Sequence, residues 1–479
     1  MVRKHPVILS LVILLVIVIL SFGQSINLSL WQDDNALIFK LQHPQEQAGV
    51  FGPGLAGLGV YRYIATAYIP IYKLFGLNLT VFYIYAIIFY FLASCSVFVL
   101  ARYLAKNKLL GFLAGSIFAA GFIGSDGILR LFNSVQTSYS VISVSLLFLF
   151  LYLFVKTKRS IYYFVSLLFF SVSLETAFIR TQYLIFPTII FLVLFFNWRK
   201  QEILKNIFLV LPFLFVYHFV FLHGADPRVS LVKDYVDGIL TGNLDYTHSF
   251  FATLGNIVLT QPIVNFLFDF MGRFSLDYMN RLLMLEVLFL GICIIFVNFI
   301  LRKSRKIIRV LISLSLVVWL VLGMIYFHNS EKIFSHSQEV DTVGIFANFI
   351  GGLFLIVLTA TLITLWRKNN QLAKLLLFLI SWLLANILAY SVYLPFSPLE
   401  TINRYLVHSL AAFAMIISIA TYSAWKRVGV FICIIIIFAN ILFSINYQNR
   451  FIEEKSIPTR NFYNQLKNYV PEIKKGSVF

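Results

Sequence analysis

Long apolar runs alternate with short polar turns along almost the whole chain. A helix needs about 20 mostly apolar residues to cross about 30 Å of hydrocarbon, and the runs predict about 13 such crossings. The sequence therefore predicts an all-α membrane protein. The predicted transmembrane helices cover residues 7–23, 79–101, 109–124, 137–155, 160–174, 177–197, 206–222, 282–301, 307–327, 345–366, 373–393, 405–424 and 428–445.

Composition and charge agree with this pattern. Of the 479 residues, 60% are hydrophobic and only 12% are charged, which excludes a soluble domain of this length. With the amino terminus in the cytoplasm, every cytoplasmic turn is basic and nearly all acids are external, as the positive-inside rule requires. The net charge of +18 is then a topology signal, and nucleic acid is not implied as a partner.

Three polar segments are predicted to lie on the outer face of the membrane. Residues 1–445 form a predicted transmembrane domain with a first external loop at 24–78 and a large external loop at 223–281, followed by a short external tail at 446–479. In the first loop, "FGPGLAGLG" breaks any helix, and "YRYIATAYIPIYKLFG" is predicted to form interfacial helices. The three cysteines, which lie inside apolar runs, indicate packing rather than a disulfide or metal site.

Two adjacent acids, Asp33 and Asp34, stand where the first predicted span leaves the bilayer, in "SLWQDDNALIF". Neighbouring helical residues point about 100° apart, so one carboxylate could face a cavity while the other caps the next helix. Alternatively, both only cap and solvate the helix end. Further along, Asp126 and Arg130 stand four residues apart in a second external turn, where an ion pair explains their spacing without a ligand.

A third polar cluster lies between two short predicted spans. Residues 161–196 must hold two crossings, which leaves about 16 residues, or about 25 Å, for each helix. The turn between them, "SLETAFIRTQY", should therefore lie below the outer surface, with Glu175 and Arg180 in a cavity or paired with each other.

Near the carboxyl end, "NRYLVHSLA" places Arg404 and Tyr405 at the outer mouth of a span. The arginine could snorkel to phospholipid head groups or bind a phosphate.

These pieces together resemble the GT-C superfamily of polytopic membrane glycosyltransferases, particularly its protein O-mannosyltransferase and aminoarabinose-transferase branch. Four segments carry the resemblance: "WQDDNALI" after the first span, "IPIYKLFGLN" before the second, "SLETAFIRTQYLIFP", which resembles the family's Ser-Lys-Glu-x-Ala helix break, and "NRYLVHSLA", which is similar to its late Arg-Tyr segment.

The resemblance implies a GT-C-type bundle in a bacterial or archaeal cell membrane, with an external active site and a sugar donor linked to polyprenyl phosphate. Asp33 or Asp34 would act as general base on the acceptor hydroxyl, which belongs to a protein, lipid or glycan. Arg404 and Tyr405, with Arg130 or Arg180, would bind the donor phosphate. Asp126 and Glu175 would bind substrate. Asp34 and Asp126 could also ligate a divalent cation, Mg²⁺ or Mn²⁺, which only some relatives need.

The chain departs from the family pattern at Leu174, where relatives often have lysine, and Arg180 could substitute for that contact. Two other functions remain open. A flippase or transporter for lipid-linked glycans would place polar residues near mid-membrane in several helices, whereas a non-catalytic scaffold predicts no convergence of the outer acids and arginines.

Overall fold

A computed structural model describes the backbone of residues 6–30, 34, 38, 41–42, 60–176, 178–196, 203–223, 236–237, 240–241, 244–274, 276–302, 306–326, 338–393 and 403–470, with most of their side chains. Every regular element in those ranges is helical. In the amino-terminal half the α-helices are α1 (Pro6–Phe22), α2 (Val60–Phe75), α3 (Leu79–Ala105), α4 (Lys108–Ala120), α5 (Ile123–Leu129), α6 (Leu131–Thr157), α7 (Ser160–Thr176), α8 (Phe178–Thr181), α9 (Ile185–Phe195) and α10 (Ile203–His223).

The carboxyl-terminal half continues in the same way. Its α-helices are α11 (Leu244–Val258), α12 (Gln261–Gly272), α13 (Tyr278–Ile300), α14 (Lys306–Tyr326), α15 (Gln338–Lys368), α16 (Asn370–Tyr393), α17 (Val407–Trp425), α18 (Arg427–Phe451) and α19 (Ile457–Tyr469). A 3-10 turn at Asn403–Tyr405 precedes α17, and a π-helical turn at Ile452–Ser456 joins α18 to α19.

Short polar turns separate the apolar helices. The Asn107 side chain accepts the N–H groups of Leu109 (2.9 Å) and Leu110 (3.3 Å) at the start of α4. Asp277 accepts the N–H of Asn280 (2.8 Å) in the same way at the start of α13. These bonds satisfy amide groups that the first helical turn leaves without partners. The polar residues of the sequence therefore end one apolar helix and begin the next.

Nine helices in the described ranges are long and apolar enough to cross a membrane, or up to 11 if two bent pairs each form one span. One bent pair is α4 with α5, at the predicted span 109–124. The spans predicted at 160–174, 177–197 and 206–222 coincide with the shorter apolar helices Ser160–Glu175, Ile185–Phe195 and Ile207–Val220. The helices indicate an all-helical integral membrane protein, while the count of about 13 and the interfacial position of α2 stay predictions.

Two segments contain more helix than the sequence indicated. Within 223–281, α11 and α12 together pass the test for a span but are bent by 85°. The tail that was predicted from residue 446 starts inside α18, and helix continues through the π-helical turn to Tyr469. Nearly half of the predicted large loop is therefore helix that packs in the bundle, principally α11 against α15.

Three hydrophobic clusters form the core. The largest joins α1, α3, α4, α6, α9, α16 and α17. The second cluster contains residues of α12, α13, α14 and α15. The third is small and packs α2 against the first turns of α3 and α6, together with Ile38 and Leu41 from the segment that carries Asp34. That third cluster borders the residues from which the sequence predicts a site.

Helices α11 and α15 cross at two glycines. A Cβ on Gly255 would lie 1.7 Å from the carbonyl oxygen of Ala347, and a Cβ on Gly351 would lie 2.1 Å from that of Phe251. Backbone atoms cannot move aside as a side chain can, so any larger residue must push the two helices apart. The glycines therefore set the distance between these helices.

We expect Gly255→Ala to destabilise the protein by about 1–3 kcal/mol because it overpacks this crossing. Thermal unfolding in detergent measures the loss as a lower midpoint temperature. Gly291→Ala on α13 is the matched control, since nothing lies within 4 Å of its added Cβ. An equal midpoint temperature for the two variants would contradict the close crossing.

Candidate functional site

The first turn of α6 presents two buried polar side chains, Asn133 and Ser134. Arg130 is extended just before the helix, and its carbonyl oxygen accepts the N–H groups of Asn133 (3.0 Å) and Ser134 (3.1 Å). The backbone N–H groups of Asn133 and Ser134 are thus hydrogen bonded within the turn. Their side chains can therefore contact neighbouring elements. Asn133 and Ser134 bind two different neighbours.

Tyr68, the neighbour of Ser134, links this turn to Asp34, which is fully buried at 0% exposure. Its carboxylate interacts electrostatically with the hydroxyl groups of Tyr68 on α2 and Tyr83 on α3. The Tyr68 hydroxyl donates to the carbonyl oxygen of Leu131 (2.7 Å) and lies 2.8 Å from Ser134 Oγ. Burial, more than the neighbouring carboxylate, raises the pKa of Tyr68 well above its usual range, so this phenol stays protonated.

The carboxyl-terminal helices hold the segment that leads to Asp34. Ser29 donates its N–H to Ser456 Oγ (3.1 Å) and its hydroxyl to the Ser456 carbonyl oxygen (3.0 Å). Arg460 Nη2 donates to the carbonyl oxygen of Asn27 (2.5 Å). Ser456 ends the π-helical turn, and such turns are uncommon and frequent at functional sites. The π-helical turn, with two hydrogen bonds, and α19, with one, are therefore connected to the segment that precedes Asp34.

On the other side of the α6 turn lies Arg180, which is 4% exposed. Its Nη2 is 3.5 Å from Asn133 Oδ1, and its Cζ lies 5.1 Å from the centre of the Tyr405 ring. Its own carbonyl oxygen accepts from Asn386 Nδ2 at 2.6 Å. A buried guanidinium over an aromatic face is a strong local source of positive charge. The chain thus holds a cation inside the bundle at the end where α17 begins.

A small cavity lies beside Arg180, and its lining comes from α6, α8, α9, α16 and α17. Arg180, Asn386 and His408 provide its polar lining, and Trp382 closes one side. His408 Nε2 lies 2.7 Å from Ser140 Oγ on α6, and Arg180 lies within electrostatic range of the His408 ring. The cavity therefore combines hydrogen-bonding groups with positive charge.

The 3-10 turn that carries Arg404 is fixed by α11. Asn256 Nδ2 donates to Asn403 Oδ1 at 2.8 Å, and both side chains are buried. The same turn packs against α5, which contains Asp126. The backbone positions of Arg404 and Asp126 therefore lie in neighbouring elements, although both side chains fall outside the described part of the structure.

Glu175 lies in the last turn of α7, and Arg180 lies on α8, after the break between these two helices. Thr181 Oγ1 donates to the carbonyl oxygen of Ser173 (2.9 Å), which closes the turn, and Gln182 Nε2 donates to that of Ala389 (3.1 Å). Glu175 is half-buried at the end of α7. The flanking helices are short, with 17 residues in α7 and 11 in α9, and the turn between them is buried in protein.

The structure gathers some of the predicted site residues. Asp34 is linked to the first turn of α6 through Tyr68, and Arg180 contacts Asn133 of that turn. The Arg130 carbonyl oxygen accepts from the same turn, and Tyr405 contacts Arg180. Asp33 lies outside the described residues, as do the side chains of Asp126 and Arg404. Glu175 stands at the end of α7, before the break that leads to Arg180.

Sequence reasoning missed several residues of this arrangement. Tyr68, Asn133, Ser134 and Asn386 were not predicted, although each provides a hydrogen bond beside Asp34 or Arg180. Single asparagines inside apolar windows, as in "SWLLANILAYS", are the one signal that the sequence offered. A buried amide in an apolar helix is costly without a partner, so its position marks a contact.

The predicted divalent cation was tested against the described side chains. Among them, no group of three or more His, Cys, Asp or Glu could hold a metal ion. Of the two carboxylates predicted as ligands, only the Asp34 side chain belongs to the described part of the structure.

Comparison with known proteins gives no family. No protein family model matches the chain, and no curated protein is similar to it.

Proposed function

We propose that the chain is an integral-membrane glycosyltransferase of GT-C type, which transfers a sugar from a polyprenyl-phosphate donor to an acceptor hydroxyl at the outer membrane face. The observation that carries the proposal is a buried carboxylate and a buried guanidinium that are both linked to one helical turn. Asp34 interacts with Tyr68, which contacts Ser134, and Arg180 Nη2 lies 3.5 Å from Asn133 Oδ1. Transfer from a lipid phosphate needs these two groups, a base for the acceptor and a cation for the leaving phosphate.

In the proposed reaction, Asp34 takes the proton from the acceptor hydroxyl as its oxygen attacks the anomeric carbon. Asp33 is the alternative base from the sequence. The bond between the anomeric carbon and the phosphate oxygen breaks, its electron pair leaves with polyprenyl phosphate, and the configuration at the anomeric carbon inverts. The Asp34 carboxylate suits this role because its surroundings exclude water, and the Tyr68 and Tyr83 hydroxyl groups lie within electrostatic range of it.

Arg180 and Tyr405 form the phosphate side of the proposed site. A guanidinium can donate two parallel hydrogen bonds to a phosphate, and positive charge that is already in place stabilises the charge that develops as the phosphate leaves. Arg404 and Arg130 are proposed to extend this side towards the bilayer rim, where a lipid-linked donor arrives. Asp126 and Glu175 are proposed to bind hydroxyl groups of the sugar or the acceptor.

The experiment is a transfer assay with the full-length protein in lipid nanodiscs. Radiolabelled polyprenyl-phosphate sugars are the donors, and membranes supply the acceptor. We expect labelled acceptor to form and polyprenyl phosphate to be released in equal amounts. Movement of the donor between the leaflets of a vesicle without transfer would establish a flippase instead. Absence of donor binding would favour the non-catalytic scaffold.

A further inference from the structure

A second groove lies where α13, α15 and α17 end, at the opposite end of α17 from the proposed site. It has about 470 Å³ of open space, and its lining includes Arg302, Lys368, Ser423, Thr361, Thr364 and Phe299. It also lies between two parts of the core, since its lining includes Ile300 of the second hydrophobic cluster and Leu365 of the largest one. His408 and Ser423 stand about 22 Å apart along α17, at 1.5 Å per helical residue.

The groove is at the depth of lipid head groups. Arg302, Arg367 and Lys426 are the first charged residues after the apolar stretches of α13, α15 and α17. Trp425, at the end of α17, packs edge to face against Phe296 and at a tilt against Phe299, with ring centres 4.5 and 5.4 Å apart. Tryptophans and the first basic residues of a span mark the boundary between hydrocarbon and head groups.

Positive charge dominates this end of the bundle. The segments 287–330, 342–399 and 401–452, which contain these three helix ends, include no Asp or Glu. Three helix carboxyl ends add only about half a negative charge each, which the basic residues at the same ends outweigh. Those residues are Arg302, Arg367, Lys368, Lys426 and Arg427.

The hydroxyl groups in the lining differ in whether they are already hydrogen bonded. Thr361 and Thr364 donate to carbonyl oxygens within α15, at 2.9 and 3.0 Å. Ser423 differs, because its Oγ is buried and has no hydrogen-bond partner within the described part of the chain. Buried hydroxyls are nearly always hydrogen bonded, and rotation about one bond turns this one towards a group in the groove.

We propose that this groove binds the head group of an anionic phospholipid, with its phosphate between Arg302 and Lys368 and near Ser423. The acyl chains would then follow the exposed apolar surface of α13, where Ile295 is 72% exposed. A bound lipid would fill the gap between the two core clusters and stabilise their association. Free phosphate lacks these chains, so the apolar surface favours the lipid as the source of the phosphate.

The test measures binding of dioleoyl-phosphatidylglycerol to the full-length protein in detergent, by native mass spectrometry and by the rise in unfolding temperature. Dioleoyl-phosphatidylcholine and inorganic phosphate are the comparison ligands. The double variant Arg302→Gln/Lys368→Gln should bind phosphatidylglycerol roughly 25-fold more weakly, at about fivefold for each basic residue. Lys156→Gln/Arg159→Gln makes the same charge change on exposed residues at the end of α6 and is the matched control.

A second variant keeps the charge. Ser423→Leu narrows the groove and should also weaken phosphatidylglycerol binding, which separates a built site from general attraction to basic residues. Equal affinity in the double variant and its control would overturn the proposal, as would protection by inorganic phosphate equal to that by the lipid. Neither result touches the proposed transfer reaction, because this groove and the Arg180 cavity share no residue.

Discussion

Replacing Asp34 with asparagine should lower the rate of sugar transfer by at least about 100-fold, because a positioned general base contributes about 10²–10⁴-fold. Asparagine has nearly the volume of aspartate and can still accept hydrogen bonds from neighbours, but it cannot take the proton from the acceptor hydroxyl. Donor binding should therefore remain while kcat falls. The measurement is transfer in nanodiscs at saturating donor, together with donor binding by the same protein.

Two controls decide whether this effect belongs to Asp34. Asp33→Asn tests the adjacent carboxylate, and we expect the smaller loss there because the buried position of Asp34 removes competing water. Asp237→Asn changes a carboxylate that is exposed, and its transfer rate should match that of the unchanged protein. Full activity of Asp34→Asn would remove the proposed base, and a larger loss in Asp33→Asn would transfer the role to Asp33.

Apolar runs and the distribution of basic turns predicted much of the fold. Nine predicted spans correspond to helices of sufficient length, because a span is recognised from local composition alone. The helices α11 and α12 were missed for a physical reason. Polar side chains of α11 are buried against other helices, as His248 is against Asn348 at 3.0 Å, whereas Asn265 and Asp269 of α12 are exposed. Both kinds of polar residue make a segment resemble a loop. Only the tertiary partners show that these polar groups are satisfied.

In the candidate site, too, the nearby sequence predicted the position of a residue but not its partners from distant parts of the chain. Chain length around the α7–α8 break was enough to predict that Arg180 lies inside the protein, since two short helices cannot bring their turn to the surface. The partners of Arg180 could not be predicted, because Asn133, Asn386 and Tyr405 come from three other elements far along the chain. Tyr68 was similarly hidden in a segment that the sequence assigned to the membrane interface.

Replacing Arg180 with glutamine should lower the transfer rate by about 10²–10³-fold, the usual cost of removing one group that stabilises developing charge. Arg180→Lys should recover only part of the rate, because lysine keeps the charge but loses both the planar contact with Tyr405 and the paired hydrogen bonds to phosphate. Rates are compared per folded protein, with folding followed by thermal unfolding, because Arg180 is buried and its loss also removes the contact with Asn133.

The identity of the leaving group separates a catalytic Arg180 from a structural one. If the guanidinium stabilises charge on the departing phosphate, the loss in Arg180→Gln should shrink with a donor whose leaving group is more acidic, since less charge then needs compensation in the transition state. The loss in Asp34→Asn should stay the same across those donors, because Asp34 acts on the acceptor. A structural role for Arg180 would instead lower the rate with every donor by one common factor, and that result would contradict its assignment to the phosphate.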